Sequence, residues 1–209
     1  MWTGTGNATR NSSESRNMDR QIRFSGFGGQ GVILMGIVLG RAAALYDRPI
    51  GEDGKPKRKT AIQTQSYGPS ARGGHSKCDV KISDKEMLYP FVEIPDYLVI
   101  MSQQAYSKYI HERKPDTRVL IDPDLVLERP KGDVFYVPAT KAAENIGTRI
   151  VANVVMLGAL REISDIVSYD ALERALFESL PKPTHNLNRS ALAVGTKLGR
   201  EAFESKSKD

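Results

Sequence analysis

Apolar and polar residues alternate through Gln21-Ile22-Arg23-Phe24-Ser25, and a period of two predicts a half-buried first strand. The period then lengthens. From Val32 to Tyr46 the apolar residues Val32, Ile33, Met35, Leu39, Ala42, Ala43 and Leu45 predict a mostly buried helix, with Gly36 and Gly40 allowing a neighbour to come close. Short β-rich runs follow at 78–82, 97–101, 119–122 and 134–137, with helical patterns interleaved at 103–112 and 139–146. Strands alternating with helices predict an α/β fold, Rossmann-like, with a mostly parallel or mixed sheet and helices on both faces.

The C-terminal part is helical. Residues 148–163 are rich in Val, Ala, Leu and Met, and nothing between Arg149 and Arg161 is ionised, so that helix should be buried in the domain or against a partner. Ser168 is placed to cap a helix reaching about Leu180, where Pro181 and Pro183 end it, and a last helix spans about 188–203. By contrast, residues 1–17 are almost all small or polar and predict a disordered tail ahead of a single domain over 18–209. Arg10 and Arg16 among serines would suit a transit peptide, but Gly4, Gly6 and the asparagines oppose an amphipathic helix. The stretch 47–59 is polar, carries Asp53-Gly54, and predicts a surface loop.

Composition removes several function classes. No run approaches the roughly 20 apolar residues that cross a bilayer, and the start lacks the apolar segment of a secretory signal, so no membrane is expected and the cytoplasm is the simplest location. The net charge of +5 is concentrated in Lys55-Pro56-Lys57-Arg58-Lys59, without interleaved aromatics, which argues against nucleic acid. That run is read as a solvated loop rather than a targeting signal, and it could steer an acidic partner. The single cysteine, Cys78, excludes an intrachain disulfide and cannot hold an iron-sulfur cluster, which takes about four thiolates. Any redox centre must lie on another chain.

Two motifs carry chemistry. Gly26-Phe27-Gly28-Gly29-Gln30-Gly31 fits G-x-G-x-x-G between a predicted strand and helix, where glycines let backbone approach a ligand and the helix N-terminus favours an anion. The acidic residue expected about 20 positions later is missing, because Glu52 and Asp53 fall in the charged loop, and this disfavours an autonomous dinucleotide site. The glycines could equally serve only a tight turn. The second motif, residues 63–76, holds Gln65, Ser66, Tyr67, Gly68, Arg72, Gly73 and Gly74 and no aliphatic side chain larger than Ala. It reads as a recognition loop, in which amides and hydroxyls meet oxygens and Arg72 neutralises an anion, or as a polar loop fixing a subunit interface.

The pairing of GFGGQG with TQSYGPSARGG resembles the gamma subunits, or fused gamma domains, of the pyruvate and 2-oxoacid:ferredoxin oxidoreductases. The likeness continues through Asp79-Val80-Lys81-Ile82-Ser83, Pro95-Asp96, Ser102-Gln103-Gln104-Ala105-Tyr106 and residues 153–160, covering about 22–199. It implies a complex that decarboxylates a 2-oxoacid on thiamine diphosphate with Mg, passes electrons through [4Fe-4S] clusters to ferredoxin or another acceptor, and delivers the acyl group to CoA. The alpha, beta and ferredoxin-like delta subunits would carry those cofactors, and this chain would bind none alone. Carried over by motif, Gly28, Gly29, Gln30 and Gly31, with Gln65, Ser66, Tyr67, Gly68, Arg72, Gly73 and Gly74, would face the entering CoA. The tail, the charged loop and His75-Ser76-Lys77-Cys78 depart from the family pattern. By overall likeness 2-oxoglutarate or an aryl-glyoxylate is favoured over pyruvate, with branched-chain and indolepyruvate-type enzymes left open.

Of the single residues, His75 is expected to be structural, His111 and His185 solvated, and Cys78 an inert thiol. The competing readings are a free-standing nucleotide-binding Rossmann protein and a structural clamp that lends no atom to a ligand site.

Overall fold

The computed structural model describes residues 19–50, 54–67 and 74–206, Tyr67 through its backbone alone. The tail over 1–17, Glu52 and Asp53, and Gly68, Arg72 and Gly73 of the second motif lie outside the described residues.

Strand β1 (Asp19–Phe27) follows the predicted alternation, but both of its faces are covered: Ile22 and Phe24 enter the main core, while Arg23 and Ser25 are buried on the other side. Helix α1 (Val32–Arg41) runs on through a π-helical turn, Ala42–Tyr46, so the predicted helix spans its full expected length. The remaining strands are β2 (Thr60–Tyr67), β3 (His75–Ser83), β4 (Tyr97–Ile100), β5 (Arg118–Ile121) and β6 (Val134–Tyr136). They form one sheet in the order β2-β3-β1-β4-β5-β6. β1, β4, β5 and β6 are parallel, and β3 is antiparallel to both β1 and β2, which makes the sheet mixed.

Helices α2 (Gln103–Tyr109), α3 (Ala139–Ile146), α4 (Ala152–Ser164), α5 (Tyr169–Glu178) and α6 (His185–Lys206) complete the fold. The two faces are unequal. α1, α3, α4, α5 and α6 cover the large core, whereas α2 covers a smaller cluster around Leu98, Ile100, Tyr109 and Val119. Ser168 caps α5 as expected, its hydroxyl accepting from the Ala171 amide at 3.3 Å.

Three expectations are corrected. The polar motif over 63–76 is not wholly a loop: its first part is in β2 and its last in β3, paired Gln65 to Cys78 and Tyr67 to Ser76. An edge strand needs a partner on one side only, so amides and hydroxyls suit it where they would not suit a central strand. The loop over 47–59 is exposed at 48–50 and 54–58 but pinned at both ends, for Asp47 and Lys59 form a buried ion pair and Lys59 also donates to the Ile166 carbonyl at 2.7 Å. His185, expected to be solvated, stacks on Phe177 with ring centroids 4.7 Å apart.

The apolar helix expected over 148–163 is α4, and the chain buries it by itself. Residues Ala152 to Leu160 are all buried, against α6 above all. Three glycines permit the contact. A Cβ on Gly195 would overlap the Val155 carbonyl, one on Gly158 would meet the Leu192 carbonyl at 2.5 Å, and one on Gly199 would meet the Ala159 backbone at 2.7 Å.

Candidate functional site

β2 runs parallel to β1 because β3 reverses direction between them. The end of β2 and the start of β3 therefore lie at the same end of the sheet as the glycine turn that succeeds β1, with Phe27 opposite His75. The two motifs touch there: the Gly28 amide donates to the Gly74 carbonyl at 3.1 Å. This is the carboxyl end of the parallel strands, where open α/β sheets hold ligands.

Within the glycine turn, Gly29 has φ +95° and Gly31 φ +73°, a region where a Cβ is costly. Gly31 is also crowded, since a Cβ there would overlap the Asn153 side chain near the start of α4. The first hydrogen bond of α1 joins the Met35 amide to the Gly31 carbonyl, and the helical amides ahead of it lie outside the ladder, facing an anion-favouring space. The Gln30 side chain is turned inward: its Oε1 accepts from the Phe27 amide and its Nε2 donates to the Met101 carbonyl, both at 2.6 Å. Gln30 thus ties the turn to the end of β4, and its amide is engaged by the protein's own backbone.

Beside this turn opens a cleft of about 360 Å³ lined by Gly29, Gln30, Met101, Leu125, Thr140, Arg149, Ile150 and Ala152. Only the first two belong to the predicted motifs. The others come from the segments after β4 and β5 and from the ends of α3 and α4. A search among the residues just beyond each parallel strand could have found some of them, although neither composition nor spacing singles them out. Thr140 is fixed by Asp122, a buried carboxylate that accepts from its amide at 2.9 Å and its hydroxyl at 2.6 Å. Burial pushes the Asp122 carboxyl above the ordinary range, against the opposing effect of these hydrogen bonds. At the mouth, Arg149 pairs with Glu144 at 2.9 Å, and both side chains are largely exposed, so an incoming anion could displace the carboxylate at little cost.

Of the other predicted residues that are described, Gly28, Gly31, Gln65, Ser66 and Gly74 are not part of the cleft lining. Gln65 and Ser66 are exposed on β2, close to the turn. Gln63, two residues earlier and on the same face as Gln65, donates to Cys78 Sγ at 3.1 Å. Cys78 is fully buried beneath α1, and a Cβ on Gly36 would overlap its sulfur. Burial pushes the thiol up to about 12, the Gln63 hydrogen bond acting in the other direction. Neither cofactor chemistry nor redox sensing suits such a sulfur.

Among the described residues lining the cleft there is no carboxylate, histidine or thiol, so the lining is suited to binding and orienting a ligand. Among the described residues no group of three His, Cys, Asp or Glu could hold a metal ion, and no helix is long and apolar enough to cross a membrane. The fold is a mixed α/β domain with a glycine turn at the carboxyl end of its parallel strands and a cleft beside that turn. The chain belongs to the pyruvate ferredoxin/flavodoxin oxidoreductase family, whose model matches residues 21–198.

The relatives are consistent with one another. The chain is 49% identical over 189 residues to the 2-oxoglutarate synthase subunit KorC of Methanocaldococcus jannaschii, covering 88% of this chain and 96% of that one. It is 30% identical to the ketoisovalerate oxidoreductase subunit VorA of Methanothermobacter thermautotrophicus, with 88% of this chain matching 37% of that longer one. The crystal structure of the keto/oxoacid ferredoxin oxidoreductase gamma subunit from Geobacter sulfurreducens superposes with a TM-score of 0.75 at 37% identity, covering 88% of this chain and 98% of that one.

Proposed function

We propose that this chain is the gamma-type subunit of a 2-oxoglutarate:ferredoxin oxidoreductase, which converts the 2-oxoacid and CoA into acyl-CoA, CO2 and reduced ferredoxin. The observation that carries this reading is the 49% identity to a 2-oxoglutarate synthase subunit across nearly the whole of that relative. Among the substrates favoured from sequence, the reading selects 2-oxoglutarate over an aryl-glyoxylate.

The chain's own residues do not fit the redox cofactors. Its one cysteine is buried under α1, and an iron-sulfur cluster takes about four thiolates. Thiamine diphosphate, Mg and the clusters belong in this reading to the alpha, beta and delta subunits. What this chain offers is a place for CoA. The helix N-terminus after Gly31 and the Arg149 guanidinium favour phosphate, and Met101, Leu125 and Ile150 favour a slender apolar arm. Arg72 of the second motif would add a second fixed charge beside the Gly28–Gly74 contact.

The test is purification from the native source through a tag on this chain, followed by assay against a panel of 2-oxoacids with CoA and ferredoxin. The expected result is a brown, multi-subunit complex most active on 2-oxoglutarate. A colourless single chain that binds a nucleotide by itself would overturn the reading in favour of a free-standing nucleotide-binding protein.

A further inference from the structure

Among the described residues, the face of the β2–β3 hairpin opposite α1 is covered at Asp79 and only partly covered along β2. On it Ile62 stands opposite Lys81, Thr64 opposite Asp79 and Ser66 opposite Lys77, because paired residues in an antiparallel ladder share a face. Among the described residues α2 packs on this side mainly over β1, leaving Ile62 and Thr64 partly exposed and Ser66 exposed. The segment between β3 and β4 borders that face and turns large apolar side chains outward: Leu88 is 92% exposed and Phe91 56%, with Tyr89 and Ile94 close to half exposed.

This segment is held in place by the fold. Arg23 donates to the Val92 carbonyl at 2.7 Å, Lys81 to the Tyr89 carbonyl at 3.1 Å, and the Asp96 amide to the Gln21 carbonyl at 2.7 Å. Tyr89 and Phe91 meet edge to face, 5.5 Å between centroids. An anchored segment with its apolar residues outward is an interaction surface rather than a failed core. The four side chains expose on the order of 400–500 Å², about half of the ~800 Å² per partner in a standard interface, and the exposed part of the adjoining hairpin face adds to it.

Charge indicates what covers it. Lys81 is held by a neutral carbonyl and lies over the Tyr89 ring, while Lys77 reaches Asp79 at 3.3 Å, a carboxylate already bound on both oxygens by Arg23. A carboxylate from outside would complete both. The relatives indicate where such a partner comes from. The matching region is 96% of the Methanocaldococcus subunit but only 37% of the Methanothermobacter chain, so the longer relative joins this fold covalently to a further module.

We infer that the partly exposed β2–β3 face and the Leu88–Ile94 segment together form the docking surface for the subunit that corresponds to that further module, which offers apolar side chains to Leu88, Tyr89 and Phe91 and carboxylates to Lys77 and Lys81. The inference rests on the proposed membership of a multi-subunit complex. In the co-expressed complex, Leu88→Asp with Phe91→Asp should reduce the other subunits recovered through a tag on this chain by roughly tenfold or more, with the far-ultraviolet spectrum and melting of the isolated variant close to wild type. Lys81→Glu should weaken recovery less, and the weakening should fade as salt is raised. Hydrogen exchange on the wild-type complex gives a reading independent of the variants' folding: amides of residues 87–94 should be protected on assembly. If wild type recovers no other subunit, the proposed function itself fails. If wild type recovers them and the Asp variant does so equally, or residues 87–94 gain no protection, the docking surface is wrong while that function stands. A self-association of the isolated chain that Leu88→Asp abolishes while the complex persists would give the face to a second copy and overturn the inference.

Discussion

The Gly28 amide donates to the Gly74 carbonyl at 3.1 Å, joining the start of the glycine turn to the end of the polar motif. The contact joins the two motifs through backbone. The same turn ends at Gly31, where two independent constraints coincide: positive φ and the overlap a Cβ would make with Asn153.

Gly31→Ala should therefore cost about 2–4 kcal/mol, the left-handed backbone accounting for ~1–2 of it and the clash for the remainder. In Gly31→Ala/Asn153→Ala the clash is removed, so the double variant should be more stable than the sum of the single effects allows. Thermal melts of the four proteins decide it. Additive losses would mean that α4 moves aside and the contact sets nothing.

Arg23 and Asp79 are directly opposed across β1 and β3 and are both almost wholly buried, with bonds of 2.7 and 2.8 Å. Burial by itself would lower the arginine's pKa, but the Asp79 hydrogen bonds and charge hold it above the ordinary value. Asp79→Ala strands a buried guanidinium and should cost about 3–5 kcal/mol, whereas replacing both residues by apolar ones of similar volume should cost far less. Denaturant unfolding of the single and double variants measures this. A double variant as unstable as the single would show that Arg23 acts through Glu112 and Val92 instead.

How legible the sequence was varies with the physical signal. Residues 139–146 are helical as read, because their apolar spacing is local. β2 was hidden in a polar stretch, since an edge strand takes its partner from one side and leaves little hydrophobic signature. The role of Gly195 was illegible, because a glycine that admits another helix resembles any other glycine until the neighbour is known. The cleft shows the same division: Gly29 and Gln30 stand in a motif, while Thr140, Arg149 and Ile150 converge on it only through the folding of distant segments.

Gly195→Ala should be among the most damaging small substitutions in the chain. The atom a methyl would strike is the Val155 carbonyl, and backbone buried in α4 cannot swing away as a side chain would. A loss of about 3 kcal/mol is expected, the upper end of ordinary overpacking. Calorimetry of the purified variant would show it, and a melting point unchanged from wild type would mean that α6 is free to shift.

Cys78 should resist alkylation in the folded protein and react only on unfolding. Its pKa is raised by burial from 9.0 to about 12, so the folded state keeps the proton after the unfolded chain has lost it. Stability from this group is accordingly unaffected below about pH 9 and falls as pH climbs from there toward about 12. Unfolding of wild type and Cys78→Ala across that range should converge with rising pH. Rapid labelling of the native thiol at neutral pH would show that α1 lifts off the sheet.

Arg149 and Arg72 separate the two parts of the proposed CoA site. Arg149 stands at the cleft mouth in an exposed pair with Glu144, and an exposed pair can be exchanged for a phosphate without stranding a buried charge. Arg72 belongs to the polar motif and is proposed to add its charge on the other side of the glycine turn. Arg72→Ala should raise the CoA concentration needed for turnover roughly tenfold to a hundredfold, corresponding to about 1.5–3 kcal/mol of lost charge-assisted hydrogen bonding. Arg149→Ala should raise it by about tenfold, because an exposed charged contact is weakened by solvent. CoA-independent decarboxylation should be spared in both. The measurement is ferredoxin reduction against CoA concentration in the assembled complex, with 2-oxoglutarate saturating. If both variants assemble and keep the wild-type CoA dependence, the cleft and the turn do not receive CoA. If they fail instead in decarboxylation itself, this end of the sheet serves the thiamine-bearing subunit's chemistry.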